Sequence, residues 1–212
     1  MPLSCDALTI VFAKAPRAGE VKTRLIPLLG AEGAATLHRQ LVQRTLVTAT
    51  EAALGPVELH ATHSDAFLQD QARRFGVALT PQRGEDLGKR LYQAFEDSLA
   101  RHARVIVIGS DCPVLTVQHL HAGAAALACG NDAVLIPAED GGYALLGLTR
   151  CDERLFENVA WGSDSVLATT RARLQSLHWQ WQELETLWDI DRPEDYRRWC
   201  AEVLLNKNPA LA

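Results

Sequence analysis

The sequence predicts an α/β fold: a largely parallel β-sheet covered by helices on both faces. Three observations carry that expectation. Short apolar, β-branched runs such as Leu8–Phe12 and Arg104–Asp111 have the length of buried strands. Amphipathic stretches alternate with them, as where Leu37, Leu41, Val42, Leu46 and Ala49 recur at helical spacing. Charged loops rich in Gly and Pro follow the strands, and parallel sheets bind their ligands outside the carboxyl ends of strands.

In chain order, the strand Leu8–Phe12 leads through a basic loop, Lys14 to Pro27, into a helix over 31–53. Val57–Thr62 reads as a strand and Ser64–Phe75 as a helix. A short strand at Val77–Thr80 and the loop Pro81–Gly88 precede a helix ending near His102. The strand Arg104–Asp111 is stopped by Pro113, and a helix over Thr116–Cys129 follows. Asp132–Ala138 and Tyr143–Leu148 read as strands joined at Asp140-Gly141-Gly142. A helix over Ser163–Leu177, a strand near Trp179–Leu184 and a helix over Pro193–Leu204 complete the pattern, with a frayed tail from Asn206. With no repeat or linker, residues 1–205 are expected to form one domain and 206–212 a tail.

Composition bounds the function. At 212 residues, 48% hydrophobic and 22% charged, the chain suits one globular domain. A net charge of −5 argues against nucleic acid as partner, so any phosphate binding is local. No apolar run reaches the roughly 18 residues of a membrane span. Met1–Asp6 lacks the basic start of a secretory signal. Five cysteines, an odd number without a C-x-x-C pair, suggest reduced thiols in a cytoplasmic compartment. His60-x-x-His63 and His119-x-His121 lack the H-E-x-x-H pattern and read as surface or core histidines.

Three segments carry chemistry. The loop after the first strand holds Lys14, Arg17, Lys22 and Arg24 around Gly19, a set able to clamp phosphates by charge-assisted hydrogen bonds. A solvated basic loop is the plain alternative. Neither a P-loop nor G-x-G-x-x-G is present. In Gly109-Ser110-Asp111-Cys112-Pro113 an acid ends a buried strand, which is costly unless it is paired, capping or bound to a metal. Cys112 as a nucleophile lacks an implied histidine. In Trp188-Asp189-Ile190-Asp191 the two acids project to one face of an extended segment and repel unless a cation lies between them. Asp191-x-x-Glu194 also reads as a helix-capping box.

Lys14-x-Pro16-x-x-Gly19-x-x-Lys22-Thr23-Arg24-Leu25, Ser110-Asp111-Cys112-Pro113, Asp140-Gly141-Gly142-Tyr143 and Asp189-Ile190-Asp191-Arg192-Pro193-Glu194-Asp195 occur in this order over nearly the whole chain. Together they resemble a bacterial family of nucleotide-diphospho-sugar transferase-like proteins with the GT-A fold, similar to phospholactate guanylyltransferases and molybdenum-cofactor nucleotidyltransferases. The resemblance implies a three-layer α/β/α, GT-A-like domain with a mainly parallel mixed sheet. It implies that Lys22, with Arg24, Lys14, Arg17 and Gly19, lies at the phosphates, and that Asp111, Asp189 and Asp191 bind Mg2+ or Mn2+. Lys22 and Asp111 would be the catalytic pair. Gly84, Asp86 and Gly88 would line the base or acceptor side, and Gly141 and Gly142 a backbone wall, unless they form a plain hairpin turn. Trp161-Gly162-Ser163 resembles a loop over the acceptor; packing with an N-cap at Ser163 is the alternative.

The chain departs from the family patterns twice. It lacks a Ser-Arg-Met-Gly core after the first strand, and the third position of a D-x-D motif is Pro113. The second departure favours nucleotidyl transfer from a nucleoside triphosphate to a small, phosphorylated acceptor. Glycosyl transfer from a nucleotide sugar is the alternative, and a non-catalytic nucleotide-binding module the third reading. Trp179, Trp181, Trp188 and Trp199 would serve packing or an interface.

Overall fold

The structure, a computed structural model, describes residues 6–207. Seven strands form one sheet: β1 (Leu8–Ala13), β2 (Val57–Ala61), β3 (Ala78–Pro81), β4 (Val105–Gly109), β5 (Ala133–Pro137), β6 (Tyr143–Leu148) and β7 (Trp181–Glu183). Their order is β3-β2-β1-β4-β6-β5-β7. All neighbours pair in parallel except β6, which runs antiparallel to β4 and β5. The Asp140-Gly141-Gly142 turn is too short for a crossover and closes a hairpin, so β6 must reverse.

Helices α1 (Ile26–Glu51), α2 (Ala66–Phe75), α3 (Leu87–Leu99), α4 (Val117–Ala128), α5 (Val166–Ser176) and α6 (Pro193–Lys207) complete the fold. Alternate residues of β1 enter opposite layers. Val11 packs with Leu46, Leu68 and Leu120 of α1, α2 and α4, whereas Leu8 and Ile10 pack with Phe95 and Leu174 of α3 and α5. Two cores separated by one sheet make the expected three-layer α/β/α, GT-A-like architecture.

Several boundaries differ from the sequence expectation. The first helix starts at Ile26, five residues early, and is kinked at Gly30, whose φ of 71° is non-helical. Helix α5 starts at Val166, and the Ser163 hydroxyl donates back to the Ala160 carbonyl rather than capping it. Helix α6 runs through Asn206 and Lys207; residues 208–212 of the expected tail lie outside the described residues, as do 1–5 of the N-terminal segment. Trp179 and Trp188 are buried, the latter beneath the Arg198 guanidinium at 4.4 Å. His60 pairs with Glu58 and His119 closes the capping box of α4, which gives both a structural role. Among the described residues no helix is long and apolar enough to cross a membrane.

Candidate functional site

The chain leaves β1 toward β2 and β3, then returns on the other side of β1 to form β4. Such a reversal opens a crevice at the carboxyl ends of the two central strands. Lys14 follows β1 and Asp111 follows β4 at this crevice. The hairpin adds Asp140 and Gly142. A bridge between Ala138 and Leu187 then draws the segment after β7 alongside, which delivers Asp189 and Asp191. One cavity of about 390 Å3 is lined by Lys14, Arg24, Gly142 and these four acids.

Lys22 is tied into the edge of this crevice. Its backbone is left-handed, with φ 49°, and its side chain is only 3% exposed. The ammonium lies 2.9 Å from Asp111 Oδ1 and donates to the Ile190 carbonyl, while the Ile190 N–H donates to the Asp111 carbonyl at 2.9 Å. Three segments distant in sequence are thus joined at one ammonium group. The plain alternative of a solvated basic loop does not hold at this residue, because Asp111 draws the lysine inward.

The Asp111 side chain is 47% exposed overall, but its Oδ1 is closed off from solvent. Burial pushes this carboxyl upward; Lys22, then His38, outweigh it and hold the group below the usual carboxylate range. His38 was not singled out from the sequence. Its Nε2 lies 3.1 Å from the Lys14 carbonyl, which only accepts, so Nε2 carries the hydrogen. Nδ1 faces Asp111 Oδ1 at 3.8 Å, and apart from the Lys22 ion pair neither atom has a hydrogen-bond partner. Burial holds the imidazole below its usual range. The only sequence signal was a polar residue beside Leu37 on the buried face of α1.

Asp191 pairs with Arg24. The entry to α6 is capped instead by Asp195, whose carboxylate accepts from the Asp191 and Arg192 N–H groups. The Asp191–Glu194 capping box is therefore corrected to a cap by Asp195, one residue beyond the expected acid. Asp189 is half-buried, and burial followed by Asp140 pushes it up to about 6. A carboxyl raised above its unfolded value of about 3.9 penalises folding once pH exceeds both values, and the penalty disappears below about 4. Asp189→Asn is accordingly expected to stabilise the ligand-free protein at pH 8 by about 1 kcal/mol after allowance for solvent screening. At pH 4 the gain should vanish; paired urea melts check it, and an equal gain at both pH values would contradict the assignment.

Other predicted residues sit elsewhere. Arg17 and Gly19 form an exposed outer turn, with Arg17 3.8 Å from Glu20. Asp86 caps α3 by accepting from the Lys89 N–H at 2.8 Å. Asp86 and Gly88 line a separate groove behind Trp161. A Cβ on Gly84 would meet the Lys89 and Arg90 backbone at 2.8 Å, and one on Gly88 the Phe156 carbonyl at 2.5 Å, so packing accounts for both glycines. Gly141, likewise, is pressed against Asp164, and Gly142 alone of the hairpin pair lines the cavity. Burial pushes the Cys112 thiol up to about 12, which favours the protonated, unreactive form. The described cysteines Cys112, Cys129, Cys151 and Cys200 are free.

Residues 45–163 match the model of DUF2064, described as an uncharacterized protein conserved in bacteria. The chain belongs to that family. A candidate nucleotide-diphospho-sugar transferase from Desulfovibrio desulfuricans G20 is 27% identical, with a TM-score of 0.79 over 88% of this chain and 82% of that one. A cytidylyltransferase from Leptospira borgpetersenii serovar Hardjo-bovis (strain JB197) shares the fold at 13% identity and a TM-score of 0.58, covering 97% and 96% of the two chains. So does a CMP:2-keto-3-deoxy-manno-octonic acid synthetase complexed with CTP, at 10% identity and 0.59, covering 95% and 99%. No curated protein matches the sequence. The DUF2064 chain thus has the architecture that the resemblance implied.

Proposed function

We propose that this DUF2064 protein is a divalent-metal-dependent nucleotidyltransferase, taking a nucleoside triphosphate and a small acceptor. The observation that carries the reading is the convergence of Lys14 and Arg24 with Asp111, Asp189 and Asp191 on one cavity at the switch point of the sheet. The solved neighbours that act on cytidine nucleotides share this fold, and one holds CTP.

The donor set fits a hard cation: it is entirely carboxylate oxygen, and Mg2+ prefers one or two carboxylates with phosphate oxygens. Among the described residues no three His, Cys, Asp or Glu side chains are gathered closely enough to hold a metal alone. Two of the acids are instead neutralised by Lys22 and Arg24. Asp111, Asp189 and Asp191 would hold the cation together with phosphate oxygens, and Arg24, now paired with Asp191, would be the nearest cation to those phosphates. When bound, Mg2+ or Mn2+ neutralises charge on the phosphates.

Lys22 keeps Asp111 oriented. Its ammonium spends two of three donors on Asp111 and Ile190 and is almost closed to solvent, so Lys22 acts through Asp111 while Lys14 and Arg24 face the phosphates. Lys14 and Arg24 balance the charge that builds on the leaving group. The acceptor oxygen bonds to the α-phosphorus as the bond to the bridging oxygen breaks, and its electron pair leaves with pyrophosphate. Glycosyl transfer is the second reading, favoured by the likeness to the candidate nucleotide-diphospho-sugar transferase from Desulfovibrio desulfuricans G20.

A product assay with mixed nucleoside triphosphates, nucleotide sugars, Mg2+ and phosphorylated acceptors decides between them. Metal-dependent pyrophosphate release is the expected result. Free nucleoside diphosphate from a nucleotide sugar supports glycosyl transfer, and nucleotide binding with neither product supports a non-catalytic module.

A further inference from the structure

The cavity that holds the acids has a second, apolar half. Leu87 and Leu91 of α3, Val107 of β4, Tyr143 of β6, Trp161 of the segment leading into α5 and Val166 at its start form its wall. Leu87 is 40% exposed and is one of two large hydrophobic side chains open to solvent among the described residues, the other being Leu28. Apolar surface on the wall of a cavity gains when a ligand covers it.

The wall is built rigidly. Tyr143 and Trp161 meet edge to face, with centroids 6.5 Å apart at 87°. Gly88 lets α3 close directly on Trp161, since a Cβ there would come within 2.7 Å of the indole nitrogen. Gly141 docks the hairpin on Asp164, and its carbonyl accepts from the Leu167 N–H at 2.8 Å. Such fixed surfaces bind with little ordering cost. The Tyr143 hydroxyl is buried against Thr170, so apart from Ser163 at its rim the wall presents carbon. A carbon surface selects by size and shape and offers few donors or acceptors with which to read a nucleobase edge.

We propose that this wall is the acceptor subsite, and that the acceptor carries a compact aromatic or branched hydrocarbon body beside its phosphate. The assignment rests on the nucleotidyl-transfer reading for the word acceptor; the apolar selectivity stands on the wall itself. The cations and acids hold the phosphates at one end, and the hydrocarbon body lies along Leu87, Leu91 and Trp161 at the other.

Titration calorimetry on the full chain tests this with phenyl phosphate and methyl phosphate as probes, each with and without saturating Mg2+-nucleotide. Phenyl phosphate should bind at least about tenfold more tightly than methyl phosphate. Leu87→Ser, a change at an exposed position, should cut that preference below about threefold and leave nucleotide affinity unchanged. Equal binding of the two probes overturns the proposal. So does a Leu87→Ser variant that weakens nucleotide instead, which would assign the wall to the base. Phenyl phosphate preference in a protein that binds no nucleotide keeps the subsite and removes the nucleotidyl-transfer reading.

Discussion

Lys22→Ala is expected to lower folding stability by about 2–3 kcal/mol, although an exposed loop lysine would change it by no more than about 0.5 kcal/mol. Removing one partner from a buried ion pair usually costs about 3–5 kcal/mol, because the other charge stays behind uncompensated. Asp111 is half open to water, which lowers the figure. The Ile190 carbonyl also loses its donor, and the joint between the β1 loop, the end of β4 and the segment after β7 is cut. Asp111→Asn placed in the same chain should return part of the loss, since the two residues are in contact and couple. Urea unfolding of both single mutants and the double mutant measures this. A loss below about 0.5 kcal/mol for Lys22→Ala would return the lysine to the solvated loop.

Gly141→Ala is expected to cost about 3 kcal/mol or more. Gly141 has a φ of 88°, where a side chain is strained by about 1–2 kcal/mol. Its Cβ would also lie 2.3 Å from the Asp164 carbonyl oxygen, and relieving a backbone overlap of that kind adds about 1–3 kcal/mol. Gly142→Ala meets only the Asp140 carboxylate at 3.1 Å and should be much milder. A thermal melt of the two variants separates a packing glycine from one that lines the cavity. Equal stability of the two would contradict the assignment.

The fold was legible because each strand and helix carries its own period, and the element order survives errors of a few residues at the ends. Asp111, Asp189, Asp191, Lys14 and Arg24 were legible as a set because they stand in the loops after predicted strands, and the fold gathers them on one cavity. The local environment of each was not. Lys22 reads as one of four loop cations, and only tertiary pairing with Asp111 and Ile190 buries it. Asp191 and Glu194 have the spacing of a capping box, but Arg24 claims the first acid and Asp195 takes over the cap. His38, at a core position of α1, and the apolar wall from Leu87 to Val166 arise from segments far apart in sequence. No local pattern marks them. Gly84, Gly88 and Gly141 have a packing role that no local pattern marks: each accommodates the protein's own backbone or Trp161.

The proposed site requires that Asp111, Asp189 and Asp191 bind metal and triphosphate together. Thermal melts of the wild type and of Asp111→Asn, Asp189→Asn and Asp191→Asn, with Mg2+-nucleoside triphosphate and with nucleotide plus chelator, test it most directly. Ligand at 100 times its dissociation constant should stabilise the wild type by about 2.7 kcal/mol, and only when metal is present. The three variants should fold and lose most of that stabilisation. A wild type that melts unchanged with every nucleotide, or variants that keep the full metal-dependent shift, would contradict the account.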